Sequence, residues 1–442
     1  MSDIYSAFAG KLTKVLNPES KLVLALSGGI DSRVLLELMA QYCKQHKVDC
    51  VAVHVNHGLS RNANTWATLC QRWCSELEVP LYIENVELDL SKGDSVEKLA
   101  RDARYQALQK HISENDILIT GQHADDQLET FLLALKRGSG PKGLAAMPEN
   151  KCFGQGIIVR PLLGVSRKQI EQYANEQQLD WVEDESNQDT RFDRNFIRHQ
   201  ITPVLTERWP SFTQSVRRSA HLCAEQEALL DELLQETFQS LVSDEGCIDI
   251  AGLAACSDRA RLQLLRMWIA RCGYLMPSHV QLSKIWHEVA LAAADANPQL
   301  HTNDGQFRRF DNKLYLLQPM SDISSWQSHI RFDSQVELPD GLGKVVLSRT
   351  SYRANIAIPK GKEVALNVSF NPEGLSAHPI GRNHSRKLKK LFQEYKVPSW
   401  LRRRTPILMC EGQVVAVAGL FIDKAFNGQE CELIWDKPSQ TM

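Results

Sequence analysis

The sequence predicts an α/β protein: a doubly wound parallel sheet, then a helical domain, then a small α+β domain. Three observations carry this. Short β-branched runs alternate with helix-period segments through the first half, the pattern of a parallel sheet with helices on both faces. The first run passes directly into Ser27-Gly28-Gly29 and then into a helix. Past Pro210 the alternation gives way to long helical periods. The expected domains are residues 1–212, 213–325 and 326–442, in keeping with a 442-residue chain too long for one ordinary core.

Taken in order, residues 21–26 (KLVLAL) read as a buried strand, and Val34, Leu35, Leu38 and Met39 form the apolar face of the helix after it. Residues 50–55, 81–88 and 116–120 are further strands, with helices expected at 64–78, 95–111 and 125–135. A last strand at 157–160 and a helix at 166–177 close the unit. Residues 211–241 read as one long helix, with two more at 258–270 and 279–294 and a β-like stretch at 308–317. Beyond Asp322 come alternating runs at 344–348 and 364–368, a basic helix, and strands at 407–410 and 414–418.

An apolar fraction of 43% and a charged fraction of 24% are those of a soluble globular chain. No apolar run approaches the length of a membrane span, so no membrane partner is expected. The first sixteen residues carry neither a basic region nor a cleavage pattern, which argues against a signal peptide. The eleven cysteines are odd in number, and Cys43, Cys70, Cys223 and Cys272 sit in helix-like apolar patterns. Core thiols in a reducing, cytoplasmic compartment follow. Cys70 and Cys74 share a helix face, but with no second pair and no C-x-x-C, a structural metal is not expected. The net charge of -2 does not mark a nucleic-acid binder, yet its distribution is uneven.

The most informative segment is Ser27-Gly28-Gly29-Ile30-Asp31-Ser32 at a strand-to-helix junction. Two glycines let the backbone turn tightly, and the following helix offers unpaired N–H donors and a positive dipole end. Ser27 and Ser32 add hydroxyl donors. The result is a cradle for pyrophosphate; the plainer alternative is a turn in which Ser32 or Asp31 caps the helix. No lysine of the G-x-x-x-x-G-K-[ST] type is present. Asp31 would repel phosphates unless a cation such as Mg²⁺ stands between them.

A second block, Thr120-Gly121-Gln122-His123-Ala124-Asp125-Asp126-Gln127-Leu128-Glu129-Thr130, puts acidic groups at the N-terminal end of a helix straight after a strand. At the carboxyl edge of a parallel sheet, that is where such folds bind ligands, and a substrate amine would be well held there. Alone, it also reads as a solvated acidic first turn. Glu97, Arg101 and Arg104 share a helix face, either as a surface Glu–Arg pair or facing a polyanion. Arg191, Arg194 and Arg198 form a second basic stripe, and Asn195 is placed to read a base edge. Near the C-terminus, Arg382, Arg386, Lys387, Lys389, Lys390, Lys396 and Arg402-Arg403-Arg404 face only Glu394, while Leu388, Leu391, Phe392 and Tyr395 give the helix an apolar side. Arg217-Arg218 with His221 make a smaller cluster. Such runs are often merely solvated; phosphate contacts from them add salt-sensitive affinity without sequence information.

The phosphate turn matches the PP-loop of the ATP pyrophosphatase superfamily, whose fold is adenine nucleotide alpha hydrolase-like. The acidic block, the glycine-rich Arg137-Gly138-Ser139-Gly140 with Gly143-Leu144 and Met147, the pattern of Glu97, Ala100, Arg101, Arg104 and Tyr105, and that of Glu183-Asp184, Ser186-Asn187, Asp189, Arg194-Asn195, Arg198 and Pro203 together resemble the tRNA(Ile)-lysidine synthetases. Gln122 departs from that pattern, where many members have His.

The resemblance implies an ATP- and Mg²⁺-using ligase acting on an isoleucine tRNA with a CAU anticodon. ATP adenylylates the carbonyl oxygen of the first anticodon cytidine, releasing pyrophosphate. The ε-amine of free L-lysine then displaces AMP. The chemistry falls to Asp31, His123, Asp126 and Glu129, with Ser27 to Ser32 on the phosphates and Asp31 on the metal. Asp125, Asp126 and Glu129 are the expected lysine site. The tRNA falls to Arg101, Arg104, Arg194, Asn195, Arg198, Arg217, Arg386, Lys387, Lys389, Lys390, Arg402 and Arg403. A homodimer is left open. A PP-loop tRNA thiolase is the alternative enzyme, disfavoured by the missing cysteine pair. A non-catalytic RNA-binding protein and an amidotransferase-type synthetase fit less well.

Overall fold

The computed structural model describes residues 3–88, 96–293, 296–302, 304–359 and 366–437. Ser95, Ala294 and residues 364–365, named above as ends of expected elements, lie outside them. The chain forms two compact units, Met1–Leu230 and Asp231–Met442.

The first unit runs α1 Asp3–Leu12, β1 Leu22–Ala25, α2 Ile30–His46, β2 Cys50–Asn56, α3 Ala63–Glu76, β3 Leu81–Asn85, α4 Val96–Gln109, β4 Ile117–Ile119 and α5 Ala124–Lys136. It continues through the short α6 Pro141–Leu144, β5 Asn150–Phe153, β6 Gly156–Val159 and α7 Arg167–Glu176. The sheet order is β3-β2-β1-β4-β6-β5. All neighbours are parallel except the edge strand β5, which pairs antiparallel with β6. Its hairpin turn at Gly154, at φ 57, went unread in the sequence because Asn150–Phe153 is exposed but for Phe153 and lacks the apolar run of a central strand.

Side-chain alternation makes the sheet two-sided. On β1, Leu22 and Leu24 join the core under α1, α2, α3 and α7, while Val23 points to the opposite core with Val51, Val53, Leu108 and Leu118. The chain leaves β1 toward β2 and β3, then returns to place β4 on the other side of β1. The strand order therefore reverses between β1 and β4, and the loops after these two strands open at one crevice. That crevice holds both conspicuous motifs.

Past α7 the chain continues as α8 Asp193–Phe196, a π-helical turn Ile197–Ile201, and α9 Thr202–Arg208. Pro203 has no N–H to continue the ladder, which accounts for the π turn just before it. The helix α10, Phe212–Leu241, runs across the border between the units.

In the second unit the helices expected of the middle segment are present, together with a sheet. Helices Asp258–Arg271 and His279–Lys284, the latter continued by a π-helical Ile285–Ala290, pack on a four-stranded antiparallel sheet. Trp268, Leu264, Ile285, Phe307 and Leu314 fill that core. The β-like stretch at 308–317 is a hairpin of Gln306–Phe310 and Lys313–Leu317, turned at Asp311 and Asn312 with φ of 44 and 61. The remaining sheet strands are two or three residues long, too short to leave a periodic signal. The C-terminal part is α+β as expected: a five-stranded and a three-stranded antiparallel sheet around Val345, Leu347, Leu366, Val368, Leu408 and Val415. Among the described residues no helix is long and apolar enough to cross a membrane.

Candidate functional site

The loop after β1 is built by its own hydroxyls. Ser32, 4% exposed, accepts hydrogen bonds through Oγ from the backbone N–H of Ser27 (3.2 Å) and Gly28 (3.1 Å), lies 3.1 Å from Ser27 Oγ, and donates to Gly29 O (2.9 Å). Gly28 sits at φ 92, a conformation that strains any residue with a Cβ. Gly29 is the N-cap of α2, and no side chain caps that helix. Neither Ser32 nor Asp31 takes the capping role, so the first N–H groups of α2 remain open to an anion.

The loop after β4 reaches the same place. A Cβ on Gly121 would stand 3.2 Å from Asp31 Cβ and 3.5 Å from Ser32 N, so only glycine lets the two loops approach this closely. His123 then caps α5: its Nδ1 accepts from Asp125 N–H (3.3 Å), while Asp126 Oδ2 accepts from His123 N–H (3.0 Å). Gln127 makes two bonds to the backbone of Met147 (2.7 and 2.8 Å), pinning the glycine-rich segment against α5.

His123 is 3% exposed and lies among three carboxylates: Asp31 (3.8 Å), Asp125 (3.5 Å) and Asp126 (3.5 Å). Burial alone would lower its pKa, but these carboxylates outweigh it and hold it above the ordinary range. The imidazolium so favoured carries a proton on Nδ1, which faces Asp125 Oδ2 and gives up the cap bond from Asp125 N–H. Asp31 is pushed up by burial, against the pull of His123 and Arg167. Asp125 shifts the other way. Burial would raise it, but the contact with His123 and a backbone N–H from Arg167 hold it below the usual carboxylate range.

Arg167, which sequence reasoning passed over, is central here. Its guanidinium donates to both oxygens of Asp31 (3.0 and 2.9 Å), and its backbone N–H donates to Asp125 (2.8 Å). A signal existed. Ser166 and Gln169 form a capping box, which marks Arg167 as the first residue of α7 on the carboxyl edge of β6.

The largest departure concerns the second basic stripe. Arg194 and Arg198, one helical repeat apart across the π turn, do not project outward. Arg194 donates to Glu129 (2.7 Å) and Asp126 (2.9 Å); Arg198 donates to Glu129 (2.6 and 3.0 Å) and Asp126 (3.2 Å). Glu129 is 1% exposed and its carboxylate would be intolerable there without these partners. The pairing is two carboxylates spaced i,i+3 on α5 facing two guanidiniums spaced i,i+4. Arg191 turns to Asp189 instead, at 2.6 Å. The Asn195 amide is already spent on the backbone carbonyls of Ser186 and Asp189, both at 3.0 Å.

Arg101 and Arg104 share a face as expected, both guanidiniums over the Tyr105 ring (5.2 and 5.7 Å). Arg104 is half-buried, and burial with its cationic neighbours Arg101 and Arg194 disfavours its charge. Arg217 is exposed and donates to Gly164 O. In the second unit, Lys387, Lys389 and Lys390 stand exposed with Leu388, Leu391 and Phe392 buried beneath them. Arg386 pairs with Glu394 (2.6 Å), as Arg382 does, and Arg403 pairs with Glu373. Arg402 is half-buried and donates to Val397 O, while Arg404 is buried and tied to Asp340, so this run does not project as one outward stripe. All eleven cysteines are free; Cys43 and Cys70 are buried, Cys223 and Cys272 only partly.

Among the described residues no cluster of three or more His, Cys, Asp or Glu is arranged as a metal cage. The donor set at the crevice suits instead a cation that arrives on phosphates and takes one carboxylate, Asp31, from the protein.

The chain is also similar to known proteins. Residues 4–205 match the family model of a PP-loop domain, residues 248–315 a TilS substrate binding domain, and residues 366–436 a TilS substrate C-terminal domain. A tRNA(Ile)-lysidine synthase of Vibrio vulnificus is 57% identical over 99% of this chain and 100% of its own length. One of Vibrio atlanticus is 56% identical over the same shares. Among solved structures, the U34-tRNA thiolase NcsA of Methanococcus maripaludis, with its 4Fe-4S cluster, superposes with a TM-score of 0.43 at 19% identity, covering 50% of this chain and 78% of that one.

Proposed function

Since the chain belongs to the tRNA(Ile)-lysidine synthase family, we propose how its own residues divide the two steps of an ATP-dependent tRNA-modifying ligase. The carrying observation is that the Ser27–Ser32 loop and the His123–Glu129 block meet at one crevice, with Gly121 against Asp31. The open N–H groups at the start of α2 and the Ser27 hydroxyl hold the β- and γ-phosphates. The cytidine carbonyl oxygen attacks the α-phosphorus, and pyrophosphate leaves. Asp31 is the residue that would hold a Mg²⁺ arriving on the phosphates, and such a cation would neutralise charge developing on the leaving group. Arg167, now paired with Asp31, would then be freed to meet a phosphate oxygen.

In the second step the lysine ε-nitrogen bonds to the activated ring carbon, AMP leaves, and the amine loses a proton. Its ordinary pKa of ~10.4 means that it arrives as an ammonium. An ammonium clamped between Asp126 and Glu129 would keep its proton and remain a poor nucleophile. Those two carboxylates are balanced by Arg194 and Arg198, a site of both signs. It suits the α-ammonium and α-carboxylate of free lysine, leaving the ε-amine free to reach the ring. The connected set of His123, Asp31, Asp125 and Asp126 receives the proton.

The tRNA contacts are assigned to Arg101, Arg104 and Arg217 and to the exposed Lys387, Lys389 and Lys390, with Arg386 and Arg403 available once their surface pairs open. Residues 1–212, 213–325 and 326–442 act as catalytic, middle tRNA-binding and C-terminal tRNA-binding segments, in the cytoplasm.

The test is pyrophosphate release from ATP with tRNA bearing the CAU isoleucine anticodon, alongside incorporation of lysine. Two analogues then probe the two-sign site: 6-aminohexanoate, without the α-amine, and pentane-1,5-diamine, without the α-carboxylate. Each should need at least about tenfold more than lysine, since each forfeits a charge-assisted pair. Use of the diamine at lysine's concentration would place the α-carboxylate elsewhere. Pyrophosphate release without lysine incorporation would move the search to another nucleophile.

A further inference from the structure

The second unit contains a cavity of about 410 Å³ that the chemistry above does not use. Its lining includes Arg308, Trp400 and Arg403 together with Thr302, Gln306 and the carboxylate of Asp322. Trp400 is held as a rigid platform: Phe310 meets it edge-on at 6.0 Å and 82°, and Tyr315 packs at 5.1 Å. The Arg308 guanidinium lies 6.0 Å from the centre of the same ring. Among the described contacts its partner is the neutral Gln306 (3.1 Å), with no carboxylate within ion-pair distance. A partly buried, unneutralised guanidinium beside an indole favours an anion with a flat apolar group attached to it. Arg403, half-exposed and paired at the surface with Glu373, adds a second cation that an incoming phosphate can recruit.

We propose that this cavity takes one unpaired nucleotide of the RNA substrate, its base against Trp400 and its phosphate between Arg308 and Arg403. The inference rests on the tRNA reading above. The volume falls within the range of small-ligand pockets, about 300–1,000 Å³. A paired base has both faces stacked and cannot reach an aromatic side chain, so the occupant is a nucleotide outside the helical stems. Recognition on this reading is by stacking and charge, which tolerate any base.

The experiment uses the full chain and two probes, a fluorescent single-stranded RNA hexamer and the whole CAU tRNA, with Trp400→Ala, Trp400→Phe, Arg308→Gln and Arg403→Gln. Trp400→Ala should weaken hexamer binding by about 5- to 100-fold, as loss of a stacking platform does, while Trp400→Phe retains most of it. Because Trp400→Ala also loosens contacts to Phe310 and Tyr315, Arg308→Gln and Arg403→Gln supply the independent arm. Each should lower the salt dependence of hexamer binding by about one phosphate contact. Unchanged binding and salt slope in Trp400→Phe and both arginine variants, with hexamer binding also unchanged in Trp400→Ala, would overturn the proposal. Tight tRNA binding with no hexamer binding would overturn it while leaving the tRNA reading intact; hexamer binding without tRNA binding would do the reverse. Displacement of the hexamer by AMP at equal concentration would make the cavity a site for free mononucleotide and reject its assignment to RNA.

Discussion

Replacing Arg194 and Arg198 together by alanine should destabilise the first unit far more than replacing Glu129 by glutamine, although both changes dismantle the ion pairs to Glu129. The asymmetry follows from exposure. The Glu129 side chain is 2% exposed, whereas those of Arg194 and Arg198 are 31% and 35% exposed. Without the guanidiniums, the carboxylate is a buried charge lacking a cation, which costs about 3–5 kcal/mol. Without the carboxylate's charge, the guanidiniums turn toward water, and the loss is about 1–2 kcal/mol, the order of one or two hydrogen bonds. Asp126 is less affected, because it keeps the His123 N–H as a partner at 3.0 Å. The assay is native-state hydrogen exchange of the α5 amides at pH 7, which reads this element without requiring the two units to unfold together. A deficit no larger than that of Glu129→Gln would refute the reasoning that the two arginines hold the buried carboxylate in place.

Two further predictions follow from single contacts. Gly121→Ala places a methyl 3.2 Å from Asp31 Cβ and must push the two loops apart; the KM for ATP in pyrophosphate release should rise roughly tenfold, or ~1.4 kcal/mol. An unchanged KM would mean that the loops separate freely. Asp125 has a folded pKa below the ordinary ~3.9, so the stability it contributes is present above that value and lost as pH falls through the lower folded one. Asp125→Asn should therefore be less stable than the parent at pH 7 and equal to it near pH 2 in urea denaturation, and a gap that persists in acid would point to lost packing instead.

Much of the first unit was legible in the sequence because its signals are local. The run at 21–26 has the unbroken apolar character of a strand buried on both faces, and Leu22, Val23 and Leu24 do divide between two cores. Gly28 and Gly29 announce a tight turn, and at Gly28 the φ is one that other residues resist. The acidic block reads as a helix start because His123 and Asp126 occupy the N-cap and N3 positions. What was not legible is long-range or short. The hairpin at Asp311 and Asn312 read as one β-like stretch because its two-residue turn is too short to interrupt the strands on either side, and the two- and three-residue strands beside it have no period to detect.

The arginine stripe shows the limit of spacing arguments most clearly. That Arg194 and Arg198 share a helix face is a local fact, correct in the sequence and in the structure; whether the face looks at solvent or at another element is a tertiary fact. The answer depended on Asp126 and Glu129, more than sixty positions earlier, with |i−j| of 65 for Arg194 to Glu129 and 72 for Arg198 to Asp126. The same holds for Asp31 and Arg167, at a separation of 136. In each case a carboxylate of the crevice already carries a cation from the chain itself. On the proposed function, substrate binding here would be an exchange of partners: a metal-bound phosphate for Arg167 at Asp31, and an amino acid's two charges inserted among four at the other end. Exchange costs less than creating a bare buried charge, so a 1% exposed glutamate can stay folded beside its two arginines before any ligand arrives.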